Sequence, residues 1–196
     1  MAYTTRDLVK QYLGIPDGTS SENTPIDNAV LAAQSEIDQI TGRTFEVPSG
    51  ATVKTFVPYD DFTLYIDDIA QKTGLIVKTD TSLDGTYDTT LTITTDFVLE
   101  GNTAPYRVVK RVDGSAYPRD RYGRPTVQVT AFWGYGMAIP DQIKQCALVI
   151  AARLYQRRSS PLGFQAGSVD VGFVRISRTD PEVIALLRGL KLPAAA

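Results

Sequence analysis

The stretch that decides the fold is WGYGMAIPDQIKQCALVIAARLYQRRSSPLG, residues 133–163. It predicts, in order, the end of a strand, a tight glycine turn, a helix that starts at Pro140, a basic tip and a loop. Asp141 lies in the first turn of this helix, and Arg157 and Arg158 lie in its last, which suits the helix dipole at both ends. The middle of the helix, CALVIAA, is apolar all the way round, so we expect neighbouring elements to enclose it.

Two helices near the start of the chain are the best candidates to enclose it. The first is predicted to start at a cap on Thr5 and to stop at Gly14. The second is predicted to start with Thr24 as cap and Pro25 in the first turn, and to end at Gly42. Its apolar residues recur every three or four positions as one stripe: Ile26, Ala29, Val30, Ala33, Ile37 and Ile40. The two ends of the chain are therefore expected to join around the central helix.

Residues 44–136 change to the composition of strands. Six segments are rich in β-branched and aromatic residues, and turn residues separate them: TVKTFV, FTLYI, GLIVKT, TLTITT, YRVVKRV and TVQVTAFWGY. Their hairpin spacing predicts a compact antiparallel sheet or small barrel, and no strand–helix–strand rhythm indicates a doubly wound nucleotide-binding fold. The predicted class is α+β. A small helical module of three to four helices, residues 1–43 and 137–196, carries an inserted antiparallel β-rich domain, residues 44–136.

The end of the chain is predicted to be a docking segment. FVRIS indicates a short strand, and Asp180 and Pro181 start a last helix with a generous apolar surface. An isolated helix of ~10 residues is marginal in water. This helix therefore needs something to pack on, either in its own chain or in another.

Composition excludes most catalytic chemistry. The 196-residue chain has no histidine, which excludes Ser-His-Asp and Cys-His catalysis and histidine-ligated metals. The single cysteine, Cys146, lies within the apolar helix and is interpreted as a small buried hydrophobe. The sequence has no glycine-rich phosphate loop, no signal-peptide core, and no apolar run near the ~20 residues of a membrane span. We expect a non-enzymatic protein without cofactor, metal or membrane partner.

Two acidic features have chemical alternatives. Residues 80–85 begin like a calcium loop, but Leu91 stands where a bidentate glutamate is needed, so a hairpin turn is the better interpretation. Two pairs of adjacent carboxylates could bind a cation or act as acid and base, although a solvated or turn role is favoured because nothing else converges on them: Asp60 with Asp61, and Asp67 with Asp68.

Charge is distributed unevenly. Of 20 basic and 22 acidic side chains, eight basic and four acidic ones fall in residues 141–196, so a net charge of −6 is followed by +4. Such asymmetry often marks a protein that meets a charged partner at one end. Arg119, Arg121 and Arg124 alternate with tyrosines in one predicted loop. That loop is either an ordinary surface loop or a site that contacts DNA phosphates without sequence preference.

Four segments carry a resemblance when they are read together. They are TTRDLVKQYLG at residues 4–14, IDQITGRTF at 37–45, the block from VTAFWGYG to SPLG at 129–163, and DVGFVRISRTDPEV at 170–183. This combination resembles the head–tail connector (adaptor) proteins of tailed bacteriophages. The match touches both ends and covers roughly half of the chain, and the turn–proline–helix–SPLG block is its most specific part.

The resemblance implies a structural virion protein of the neck, made in the cytoplasm of the host bacterium. Such subunits form a dodecameric ring below the portal, extend the DNA channel, and present a surface to a downstream stopper or tail protein. Genomic DNA passes through the lumen without sequence-specific recognition. The portal contact is expected in the C-terminal segment, at Arg175, Arg178, Pro181, Val183, Ile184, Leu187 and Leu190. A subunit interface or the lumen is expected near the basic tip, at Arg153, Arg157, Arg158, Pro161, Leu162 and Phe164.

Two other functions stay open. One is another structural neck or tail protein of a phage, such as a stopper or tail-completion subunit. Stoppers are mostly β, so the helices at both ends of this chain count against that reading. The other is a small ligand- or metal-binding domain that uses the carboxylate pairs, which predicts stabilisation by divalent cations.

Overall fold

The computed structural model describes residues 2–159, 164–165, 174–175 and 181–192. The described chain is α+β, as the sequence predicts, with four α-helices and two antiparallel sheets in addition to one short two-stranded pair. It divides into two compact units, Met1–Glu46 with Ile139–Ala196, and Val47–Ala138. We call them the helical unit and the β unit. None of the helices in the described ranges has the length and apolar character needed to span a membrane.

The helical unit takes its elements from both ends of the chain. They are α1 (Arg6–Leu13), α2 (Asn23–Thr41), α3 (Asp141–Gln156) and α4 (Pro181–Arg188), and the antiparallel pair β8 (Phe164–Gln165) and β9 (Val174–Arg175). Helix α3 packs against α1, α2 and α4. The prediction that the two ends of the chain enclose the central helix is therefore confirmed.

The boundaries of α1 follow the sequence signals, whereas the start of α2 does not. The Thr5 side chain accepts a hydrogen bond from the Leu8 N–H, and Gly14 ends α1 at φ +69°. Thr24 is not the cap of α2, because a 3₁₀ turn (Ser20–Glu22) leads directly into the helix at Asn23. Pro25 is tolerated two residues later because N–H groups in the first turn of a helix have no partner within it.

The core of the helical unit is formed by three of the helices and closed by the fourth. The inward side chains of α3 are small or medium in size, which lets its neighbours approach closely: Ile143, Cys146, Ala147, Ile150, Ala151 and Ala152. The stripe of α2 is buried from Ile26 to Ile37, but Ile40 is only half-buried. Val183 and Leu187 of α4 complete the core, with 3% and 0% of their surface exposed.

The β unit contains seven strands in two sheets, whereas the sequence predicts one sheet or a small barrel. The strands are β1 (Thr52–Phe56), β2 (Thr63–Ile69), β3 (Ile76–Thr79), β4 (Thr89–Leu91), β5 (Phe97–Leu99), β6 (Tyr106–Arg111) and β7 (Val127–Ala131). The four-stranded sheet has the order β1-β7-β3-β4, and the three-stranded sheet has the order β2-β6-β5. The expectation of a single sheet is wrong because β2 does not pair with its sequence neighbour β1 but with β6. In the other sheet, β7 pairs with β1 on one side and with β3 on the other.

The two sheets share one hydrophobic core. Alternate residues point inward, so that Leu64 lies opposite Val109 in one sheet and Val77 lies opposite Val129 in the other. All four side chains are completely buried in the same cluster, and Phe97 from β5 joins them. This alternation is the period of two that a sheet with one buried face requires.

Candidate functional site

The first pair of adjacent carboxylates has a structural role. Asp60 accepts hydrogen bonds from the N–H groups of Phe62 (2.8 Å) and Thr63 (2.6 Å), and these bonds hold its pKa below the ordinary value. Asp61 forms an ion pair with Arg119 at 3.5 Å. The pair therefore shapes and neutralises the turn before β2.

The second pair is divided between two cations. The Lys54 ammonium lies 2.6 Å from Asp67, and the Arg107 guanidinium lies 3.5 Å from Asp68. Within the described ranges, no group of three or more histidine, cysteine or acidic side chains could hold a metal ion. The geometry thus gives these carboxylates ion-pair partners and brings no further acidic ligand to them.

The loop that begins like a calcium site is a hairpin turn, as the sequence predicts. Strands β3 and β4 pair antiparallel on either side of it. The Asp80 carboxylate accepts hydrogen bonds from the N–H groups of Asp84 (3.2 Å) and Gly85 (2.8 Å). Gly85 has φ +94°, a conformation that favours glycine. Backbone donors therefore occupy the oxygens that a cation would need.

The basic tip of α3 is folded back onto the start of α2. The Arg158 guanidinium lies 2.6 Å from Glu22 and 4.7 Å from the centre of the Tyr155 ring. The Tyr155 hydroxyl donates to the same Glu22 carboxylate at 2.8 Å. The hydrogen bond from Arg158, followed by that from Tyr155, holds the pKa of Glu22 below its ordinary value. We call this three-residue contact the α3 latch.

The other residues expected near a subunit interface or the lumen are only partly described. Arg153 and Arg157 both interact with other groups of the chain. Phe164 is described only as backbone of β8, and Pro161 and Leu162 lie outside the described residues. The role of these residues in assembly stays a prediction.

The residues expected to dock on the portal divide into buried and exposed ones. Val183 and Leu187 are buried in the core of the helical unit, and their contact with a portal protein stays a prediction. Ile184 is 42% exposed on the same helix, Pro181 is exposed, and Leu190 is half-buried. Arg175 is described only as backbone of β9, and Arg178 lies outside the described residues.

A groove of about 460 Å³ lies on the helical unit between α1, α3 and α4. We call it the α4 groove. Apolar side chains and polar groups share its lining, among them Tyr12, Gln145, Val149, Ala152, Glu182 and Leu186. The groove was not predicted from the sequence. Val149 in the apolar centre of α3 and Leu186 in α4 were available as sequence signals, because both are apolar. The structure leaves Val149 half-buried.

The three arginines of the predicted loop lie together in the structure, but they differ in whether a carboxylate pairs with them. We call residues 118–125 the tip loop. Arg124 binds the Asp120 carboxylate at 2.9 Å, and Arg119 pairs with Asp61. Arg121 instead lies over the ring of Tyr122, 6.0 Å from its centre, and no carboxylate of the described residues pairs with it. The loop therefore does not present three free cations to a phosphate backbone.

Comparison with known proteins supplies a likeness of fold. No protein-family model matches the chain, and no curated protein matches its sequence. Solved structures do match, and two of them come from gene transfer agent particles. The fold occurs in the neck of a gene transfer agent. A chain from the neck of an empty particle, computed with C6 symmetry, aligns with this protein at a TM-score of 0.60 and 19% sequence identity. The alignment covers 96% of this chain and 89% of the neck chain. A chain from the virion of the native gene transfer agent particle aligns with a TM-score of 0.56 and 19% identity over 97% and 89%, respectively.

Proposed function

We propose that this chain is a structural neck protein of a phage-like particle, and more specifically an adaptor subunit between portal and tail. The observation that carries the proposal is the likeness of fold to a neck protein over 96% of the chain. The alignment includes both units and covers most of the length of each chain. At this level of identity the likeness shows the fold alone, so the function is our inference from it.

The organisation of the described residues supports a function in binding other proteins through the surface of the chain. The paired aspartates are engaged in turns and ion pairs, and the cysteine is completely buried. Under the proposal, the partners are further copies of the chain in a ring, the portal protein, a downstream stopper or tail protein, and DNA passing through the lumen. The similar neck was computed with C6 symmetry, and a twelve-membered ring is compatible with a sixfold axis.

The experiment measures mass by light scattering, for the purified protein alone and after mixing with DNA-filled heads that carry a portal but lack a tail. Ring-sized particles, or saturable binding to these heads, are expected. Tailed virions of the same phage are the matched control, because their portal vertex is already occupied. Binding to isolated tails but not to heads would place the protein on the tail side. A protein that stays monomeric and binds neither heads nor tails would refute the neck assignment.

A further inference from the structure

The tip loop is held rigid at its base and at its apex. Its flanking residues, Tyr117 and Thr126, are 2% and 1% exposed, and the Thr126 hydroxyl donates to a loop carbonyl, that of Pro118. At the apex, the Gly123 N–H donates to the Asp120 carbonyl at 3.1 Å. Aspartate at the first position and glycine at the fourth are typical of a type I β-turn. Arg121 and Tyr122 therefore occupy the two central positions of a preformed turn.

Two further contacts fix the direction of this turn. Arg124 binds Asp120 and also donates to the Leu83 carbonyl at 3.1 Å, which ties the tip loop to the β3–β4 hairpin. The hydrogen bond from Arg124 holds the pKa of Asp120 below its ordinary value, so the pair stays charged at neutral pH. The charge of Arg124 is thus used inside the subunit, and only the apex of the loop is left for a partner.

The apex has the composition of an interface hot spot. Tyr122 is 79% exposed, more than any other large apolar or aromatic side chain of the described residues. Arg121 lies over its ring and is exposed as well. Tyrosine and arginine are enriched among residues that dominate binding energy, and a preformed loop loses little conformational entropy on binding. These properties indicate a binding element rather than an ordinary surface loop.

The surroundings of the apex favour a protein partner over DNA. The adjacent hairpin carries exposed Asp84 and Asp88, and two of the three arginines of the tip loop already have carboxylate partners. Binding to a phosphate backbone depends on several cations that displace counterions together. One unpaired arginine beside exposed carboxylates does not provide them.

We propose that the tip loop of one copy inserts Tyr122 into the α4 groove of the neighbouring copy, with Arg121 facing Glu182. The inference deepens the proposed function, on which it rests, by naming the contact between subunits. The groove is within the size range of ligand pockets, and Val149, Ala152 and Leu186 give it apolar surface for an aromatic ring.

The polar groups of the groove suit the same occupant. Gln145 lines the groove and its amide can hydrogen-bond a tyrosine hydroxyl, and Glu182 adds a carboxylate that can accept more than one hydrogen bond. Glu182 already interacts within its own subunit, and Arg121 would join that contact. Arg153 also lines the groove, so its walls carry no net charge and the aromatic ring supplies most of the affinity. The tip loop and the groove are different surfaces of one chain, and such a heterologous contact generates a ring when the rotation between neighbouring copies closes.

The test is a disulfide trap in a Cys146→Ala background, which removes the native thiol. Arg121→Cys combined with Glu182→Cys keeps the Tyr122 ring and is expected to give a ladder of covalent oligomers when rings form, alone or on heads. The matched control is Tyr59→Cys with Glu182→Cys, because Tyr59 is also an exposed residue, at 66%. Equal ladders from the two pairs, or no ladder in rings that form normally, would overturn the proposal and leave the neck function intact.

A second measurement avoids new thiols. Tyr122→Ala is expected to keep the melting temperature of the wild type, since the side chain is exposed, and to raise the concentration for half-maximal assembly about 30-fold or more. Tyr59→Ala is the control and should assemble like the wild type. Normal assembly of Tyr122→Ala, with or without a loss of salt-sensitive DNA binding, would overturn the proposal. Failure of the wild type itself to assemble or to bind heads would instead refute the proposed function.

Discussion

Replacement of Leu187 by alanine tests whether α4 belongs to the core of the helical unit. Leu187 is completely buried, whereas Ile184 on the same helix is 42% exposed. A change from a fully buried leucine to alanine costs about 2–5 kcal/mol, because apolar contacts are lost and a cavity remains. A change at an exposed position usually costs less than about 0.5 kcal/mol. Leu187→Ala should therefore destabilise the protein far more than Ile184→Ala does, although both remove aliphatic carbon from one helix.

The design must allow for local undocking of α4. This helix has eight residues and is the last described element of the chain. If it detaches before the rest unfolds, the loss of stability is limited to its docking free energy and appears in its own amides. Hydrogen exchange of α4 peptides is thus the primary assay, with urea denaturation followed by circular dichroism as the second.

A loss of about 3 kcal/mol corresponds to roughly 100-fold less protection of the α4 amides in Leu187→Ala. Ile184→Ala should stay close to the wild type. Equal protection in the two variants would refute the packing of α4 through Leu187. It would also leave Val183 and Leu187 available for the proposed contact with a portal protein.

Three further predictions concern buried and paired groups. Tyr3→Phe removes the donor to Asp38 (2.6 Å) and the acceptor of a buried backbone N–H, so the free energy of unfolding should fall by about 2 kcal/mol in urea denaturation; an unchanged value contradicts this. Arg158 lowers the pKa of Glu22, so the stability gained from this pairing is complete above the unfolded pKa of about 4.3 and is lost as pH falls through the folded pKa. Glu22→Gln should flatten the acid side of the melting-temperature profile, and an unaltered slope would count against the α3 latch. Cys146 is buried, and burial raises its pKa, so mass spectrometry should detect iodoacetamide modification only under unfolding conditions.

The helices could be predicted because their signals are local. Apolar residues spaced by three or four positions predict the buried face of α2, and glycines in the left-handed conformation end both α1 and α2, at Gly14 and Gly42. The start of α2 could not be predicted from its cap, because the 3₁₀ turn before Asn23 supplies the first turn without a capping side chain. Local sequence predicts that a helix exists more reliably than where it starts.

The sheets and surfaces depend on contacts between residues far apart in sequence. Six strands were identified by composition, but the pairing of β7 with β1 and β3 depends on where the chain returns, and β5 is too short to show a period. The same holds for the tip loop. Arg119 lies near Asp61, 58 positions away, so its neutralisation was invisible in the sequence. Its exposed apex, by contrast, is encoded locally by Asp120 and Gly123.

The insertion of the β unit into the helical unit constrains biosynthesis. Helix α2 ends at Thr41 and α3, on which it packs, begins at Asp141. At a translation rate of roughly 5–20 residues per second, about 5–20 seconds pass between the synthesis of α2 and that of α3, and during this time the apolar stripe of α2 has no α3 to pack on. The β unit has its own core and can fold during that interval. A nascent chain on the ribosome therefore lacks the complete helical unit until α3 and α4 have both emerged.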